Sequence, residues 1–382
     1  MRPHSRLKNV VLFVLVVVFL PFLWLVVFMH LTPEDLLEKH HPEMQDSLQH
    51  AESIKHKHKL DLHHLSKQIN VLKMSHMQKD GSENICVLCE ACELLANVSV
   101  GTNVIQFPSI FHYLSHLIGQ LDSLKPAYEL SHSRMGVSIV LAVPTVKREQ
   151  ESYLFQTLES LIDGLNAQEK EDCVIIIFIG EPNDMAFVLS IATEIKDKFY
   201  SSVESGLIEV ISPPASYYPD INGLREMFGD PLERVKWRTK QNLDYSFMML
   251  YALSKGTYYC QLEDDIVTKA GYLSTMKKFI LKQKTDNWMV LEFSHLGFIG
   301  KLFKSRDLPI ITEFFLMFHQ DKPIDWLLDH LLYVKVCNPE RDTKHCQRSI
   351  GELRRRFKPS LFQHIGRHSS LKGKVQKLSK FV

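Results

Sequence analysis

Three apolar runs set the terms on which this chain can fold. Residues 136–144, 173–180 and 207–211 carry Val, Ile, Leu or Phe at most positions, without polar alternation. A strand with one wet face alternates, whereas a strand covered on both faces reads as a continuous apolar run. Between the runs lie two segments with apolar residues at helical spacing. Leu154, Leu158, Leu161, Ile162 and Leu165 recur over residues 153–165, and Phe187, Ile191 and Ile195 over residues 185–199. This alternation predicts an α/β nucleotide-binding architecture, with a mainly parallel sheet covered on both faces. Such sheets bind ligands at the carboxyl ends of their strands.

A fourth run, residues 257–262, follows the helix-stopping Gly256 and ends in Glu263-Asp264-Asp265. Carboxylates clustered at a strand end can hold a divalent cation against a nucleotide diphosphate. Acidic triplets also occur by chance on surfaces, so the neighbouring sequence has to support the reading. Residues 237–245 open the preceding helix, where Arg238 and Lys240 are candidates to neutralise a diphosphate or else charges facing solvent. Glu292 interrupts an apolar strand at 289–293 and is either paired to a neighbour or placed at a site. Asp325 lies near the start of a helix that also carries Asp329. Asp325 reads as a cap or, like Asp329, as a group that binds acceptor hydroxyls. An inverting sugar transfer needs one carboxylate as base, and Glu292, Asp325 and Asp329 are the candidates among which spacing does not choose. His364, in a terminal loop after a short strand, is either structural or completes a metal shell with Asp265. The basic run through Arg354, Arg355, Arg356, Lys358, Arg367, Lys372, Lys374 and Lys377 either lies near phosphate or, as such runs more often do, forms a solvated face.

Residues 10–29 contain no charge. Twenty helical residues rise about 30 Å, the thickness of a hydrocarbon core. No small-residue cleavage site follows, which favours a retained signal anchor over a removed leader. Arg2, Arg6 and Lys8 precede the span, while Glu34, Asp35 and Glu38 follow it. The positive-inside rule then gives a single-pass type II protein. Its expected parts are a cytosolic tail at 1–9, a lumenal stem at 30–85, a globular domain at 86–370 and a basic tail at 371–382. A net charge of +1 offers no bulk electrostatic attraction for nucleic acid. All seven cysteines fall on the lumenal side, where disulfides form. Cys337 with Cys346 is the favoured pair. Asn97 opens the sequon Asn97-Val98-Ser99.

The stretches WRTKQNLDYSFMMLYALSKGTYYCQLEDDIV, NWMVLEFSHLGFIGKLFKS, KPIDWLLDHLLYVKVCNPERDTKHC and FKPSLFQHIGRHSSLKGK resemble the N-acetylglucosaminyltransferase IV family. The resemblance runs over residues 107–378. It implies a Golgi enzyme with a GT-A-like fold that uses UDP-GlcNAc and a divalent metal, usually Mn²⁺. The implied reaction adds GlcNAc in β1,4 linkage to the α1,3-mannose arm of N-glycoprotein acceptors. It also implies that Asp265 binds metal directly, that Glu263 and Asp264 support metal and ribose, and that His364 belongs to the family's terminal motif. The chain departs from the family pattern where it stops at Val382, before the expected lectin-like domain, and at His295, where Gln is expected. Its length makes it similar to a short regulatory branch of the family. That branch implies a non-catalytic inhibitor that binds GlcNAc-transferase I in the Golgi membrane, or in the compartment between endoplasmic reticulum and Golgi. The alternative is an active β1,4-GlcNAc-transferase.

Overall fold

The computed structural model describes residues 110–148 and 150–367, which belong to one unit, Ile105–Val382. The anchor at 10–29, the stem, Asn97 and the basic tail at 371–382 lie outside the described residues. Among the described residues, no helix is long and apolar enough to cross a membrane.

Among the described residues ten strands are present: β1 (Tyr128–Leu130), β2 (Val137–Thr145), β3 (Cys173–Ile179), β4 (Ile208–Ser212), β5 (Gly256–Gln261), β6 (Ile266–Thr268), β7 (Val290–Glu292), β8 (Lys301–Lys304), β9 (Arg354–Arg356) and β10 (Phe362–His364). Helices of ten residues or more are α1 (Leu154–Asp163), α2 (Met185–Lys198), α3 (Leu232–Ala252), α4 (Tyr272–Leu281), α5 (Leu308–Met317), α6 (Ile324–Val336) and α7 (Thr343–Leu353). The main sheet has eight strands in the order β1-β4-β3-β2-β5-β8-β7-β9. Its centre, β4-β3-β2-β5, is parallel, as the apolar runs predict.

Four of the seven pairings of this sheet are parallel, so it is mainly parallel, and the antiparallel pairings lie in its wings. β1 runs antiparallel to β4, and β8 runs antiparallel to both β5 and β7. These wing strands span three or four residues, too few to display a period. Arg354–Arg356 corrects the reading of a solvated basic run: it forms β9, parallel to β7.

Side-chain alternation explains why the central strands are apolar throughout. Ile139, Leu141 and Val143 of β2 pack with Ile175 and Ile177 of β3 against α1, α2 and α4. Val140, Ala142, Val174 and Ile176 point the other way, against α3, α5 and α6. All nine of these residues are fully buried. α3 begins at Leu232 after Pro231, earlier than the expected start at residue 237. Pro at a helix entry has its φ already set for the first turn. Arg238 and Lys240 therefore stand beyond the first turn.

Candidate metal centre and ligand cleft

The backbone of the triplet is fixed from both sides. Leu262 N–H donates to the Ala142 carbonyl at 2.9 Å, which carries the β2–β5 ladder one residue past β5. The Thr157 hydroxyl of α1 donates to the Asp264 carbonyl at 2.8 Å and accepts from Ile266 N–H at 3.0 Å. Glu263, Asp264 and Asp265 therefore project at the carboxyl edge of the parallel strands. β10 closes the other side. It pairs antiparallel with β6, setting His364 opposite Ile266.

Asp264 is buried and committed to protein. It accepts from the Thr145 hydroxyl at 2.6 Å and pairs with Arg148. Asp265 differs. Its Oδ2 lies 3.2 Å from Arg148 Nη2 and 3.2 Å from His364 Nε2. The second contact is within ion-pair reach, and both His364 Nε2 and Asp265 Oδ1 are buried without a hydrogen-bond partner. Buried polar atoms left in this state imply a missing ion or water. Glu263, Asp265 and His364 each bring one ligand atom, and these atoms lie within 4.8 Å of one another. Two carboxylates and one imidazole fit a first-row divalent cation. Burial, then the Asp265 charge, pushes the Glu263 carboxyl up to about 7. Burial pulls His364 down, but Asp265 and Glu263 outweigh it and leave the imidazole more basic than usual. A bound cation would replace those protons. Gly366 leaves space for Asp265, because a Cβ there would lie 2.3 Å from its Oδ2.

Beside the cluster is a cleft of about 320 Å³. One wall is a stripe on α3, formed by Trp237, Lys240, Gln241, Asp244 and Tyr245. The cleft is also lined by Thr145 at the end of β2, Lys147 and Arg148 just after it, and Glu181 after β3. Glu263 and Asp264 line the metal end. Lys240 Nζ donates to Asp244 Oδ2 at 2.6 Å, and the Tyr218 hydroxyl donates to Asp244 Oδ1. Gly180 makes room for this pair, since its Cβ would come within 3.0 Å of both Asp244 Oδ2 and Lys240 Nζ. Burial holds Asp244 above the ordinary carboxylate range, despite Lys240 and Tyr218. Burial, then Glu263, raises the Tyr245 phenol and keeps it protonated.

The remaining candidates lie elsewhere. Arg238, expected beside a diphosphate, is buried, pairs with Asp230 and donates from Nε to the Gln320 carbonyl at 2.9 Å. Glu292 is buried among three cations: Arg356 Nη2 at 2.6 Å, Lys301 Nζ at 3.3 Å and Arg354 Nε at 3.4 Å. Burial alone would raise its carboxyl, but Lys301, Arg354 and Arg356 together hold it low. Asp329 is exposed and pairs with Arg354 Nη2 at 2.6 Å. Both residues border a separate, mostly apolar groove of about 980 Å³. Asp325 is not the cap of α6, because Pro323 occupies that position. Its Oδ1 accepts from Trp326 N–H at 3.1 Å. Cys337 and Cys346 form a disulfide, while Cys173 and Cys260 are free and buried. Thr145, Arg148, Trp237, Gln241, Asp244 and Tyr245 were not legible as site residues from local pattern. The signal for the last four was present. They stand at i, i+4, i+7 and i+8 on the helix that feeds the triplet's strand.

A carboxylate–imidazole cluster that could hold a metal ion, at the carboxyl edge of the parallel strands and beside a polar cleft, places the chain among α/β proteins whose sheet edge carries the candidate site. The chain matches the MGAT4 conserved region over residues 105–381 and belongs to that family, the N-acetylglucosaminyltransferase IV family. It is 60% identical over 284 residues to alpha-1,3-mannosyl-glycoprotein 4-beta-N-acetylglucosaminyltransferase B of Danio rerio, covering 74% of this chain and 52% of that protein. It is 60% identical over 276 residues to the Homo sapiens B protein, covering 72% and 50%. It is 58% identical over 275 residues to the Rattus norvegicus A protein, covering 72% and 52%. The chain thus spans about half the length of these curated relatives. Among solved structures, S. aureus TarS 1-349 gives a TM-score of 0.32 at 12% identity, covering 57% of this chain and 70% of that one.

Proposed function

We propose that the described unit is a GT-A-like domain that binds UDP-GlcNAc through a divalent cation, Mn²⁺ first among them. We propose further that the chain regulates N-glycan maturation without catalysing transfer. Glu263, Asp265 and His364 would hold the cation, which would supply positive charge to the diphosphate. Lys240 lines the same cleft, where its remaining ammonium donors can meet phosphate oxygens. The regulatory role is inhibition of GlcNAc-transferase I by protein contact in the Golgi membrane, with residues 10–29 as a type II anchor.

One contrast carries the reading. The cation cluster has all its donors, yet each carboxylate nominated as base is committed. Glu292 is enclosed by Lys301, Arg354 and Arg356, Asp329 is paired to Arg354, and Asp325 is bonded to its own helix. The intact cluster favours the second reading, an active β1,4-GlcNAc-transferase acting on the α1,3-mannose arm of N-glycans.

The test is GlcNAc transfer by the detergent-solubilised full chain, with UDP-GlcNAc, Mn²⁺ and a biantennary N-glycan acceptor. The expected result is no turnover, retained UDP-GlcNAc binding, and capture of GlcNAc-transferase I from cells whose surface glycans shift to high-mannose forms. Turnover that Asp265→Ala abolishes would sink the regulatory reading.

A further inference from the structure

Tyr245 stands out among the groups lining the cleft. It is 4% exposed, and its ring packs at 5.7 Å from that of Phe298. Buried tyrosines usually find a hydrogen-bond partner for the hydroxyl. The neighbouring tyrosines do so: Tyr217 donates to the Leu243 carbonyl, Tyr218 to Asp244 and Tyr259 to Gln261. The Tyr245 hydroxyl has no such partner among the described residues, and Tyr245 lines the cleft together with Glu263 and Asp264. Asp244, one residue before it, already has Lys240 and Tyr218.

A hydroxyl without a protein partner, on a residue that lines the cleft with Glu263 and Asp264, is free to donate to a ligand there. Glu263 and Asp265 would be taken up by the cation, and Asp264 is held by Thr145 and Arg148. The group a cation draws against itself is an anionic oxygen, and a hydrogen bond from a neutral donor to an anion is stronger than one between neutral groups. We propose that Tyr245 is a ligand-contacting, specificity-determining residue, whose hydroxyl donates to the second (β) phosphate of the nucleotide diphosphate at the cation. The proposal rests on the sugar-nucleotide reading above.

The experiment titrates the full chain in detergent, loaded with Mn²⁺, with UMP, UDP and UDP-GlcNAc by calorimetry, in wild type, Tyr245→Phe and Asp265→Ala. Tyr245→Phe keeps the ring on Phe298 and removes only the hydroxyl. It is expected to weaken UDP and UDP-GlcNAc about tenfold, the scale of one hydrogen bond to a charged group. UMP, which lacks the second phosphate, is expected to stay within about twofold of wild type on the same scale. Mn²⁺ binding alone, read by electron paramagnetic resonance, should be unchanged, which establishes that the cluster keeps its shape. Equal UDP binding by wild type and Tyr245→Phe overturns the proposal while leaving the sugar-nucleotide reading intact. So does an equal loss of all three ligands, which marks a packing role, or a loss confined to UDP-GlcNAc, which places the hydroxyl on the sugar. If wild type binds none of the three, the sugar-nucleotide reading fails and the proposal falls with it.

Discussion

Gly366→Ala tests the metal centre without removing any ligand. An alanine Cβ at this position would lie 2.3 Å from Asp265 Oδ2, 2.8 Å from its Cγ and 2.9 Å from its Cβ. Comfortable contact needs about 3.5 Å, so the carboxylate oxygen must retreat by about 1.2 Å. The main chain cannot give way easily, because Ile365 N–H donates to the Asp265 carbonyl at 2.8 Å and ties the two segments together. Arg148 Nη2 lies 3.2 Å from the same Oδ2, so a shift of this oxygen also disturbs that ion pair. A metal ligand tolerates only about 0.2 Å of misplacement. The methyl should therefore cost about 1–3 kcal/mol in packing. It should also weaken cation binding about 10–100-fold, the range seen when a ligand's support is removed. The assay is Mn²⁺ titration followed by electron paramagnetic resonance, with Asp265→Ala as the floor and thermal melting as the check on folding. If Gly366→Ala folds and binds Mn²⁺ within about twofold of wild type, the contact between this glycine and Asp265 does not organise the site.

Two further outcomes follow from the same structure. Glu292→Gln should destabilise the fold by about 3–5 kcal/mol at neutral pH, since it leaves three cations around a neutral amide. Mn²⁺ affinity should stay unchanged, and denaturant melts compare the two proteins. Glu292 is held below its ordinary value of 4.5, so its ionisation stabilises the fold above that pH and is lost as pH falls through the lower folded value. Glu292→Gln should flatten that acid limb. Replacing Cys337 and Cys346 together by Ser opens a bridge of sequence separation 9. Loop closure of this size is worth about 3 kcal/mol, read as a lower midpoint in the same melts.

The central sheet was legible because period and length were both on display. Residues 136–144, 173–180 and 207–211 fall within a residue of the observed Val137–Thr145, Cys173–Ile179 and Ile208–Ser212. Three of the metal-end residues, Glu263, Asp265 and His364, were also nominated from sequence, and the fold brings them together. The partners of Glu292 were not foreseen. A carboxylate interrupting an apolar strand has the same local signature whether it is catalytic or paired, and its cations arrive from β8 and β9. Arg238 misled for a related reason. A cationic residue beside a triplet's helix looks like a phosphate ligand until the Asp230 turn and the Gln320 carbonyl are seen to enclose it. The cleft stripe on α3 escaped because it mixes aromatic, basic, acidic and amide side chains, which no single hydropathy pattern selects.

The pairing of β10 with β6 bears on how the protein matures. Glu263 and Asp265 leave the ribosome almost a hundred residues before His364. Until Phe362–His364 has returned to lie against Ile266–Thr268, a cation held at this cluster would have two protein ligands instead of three. Tight loading thus waits on completion of the domain, and a chain stalled or clipped before residue 362 would be under-metallated even with its central sheet assembled.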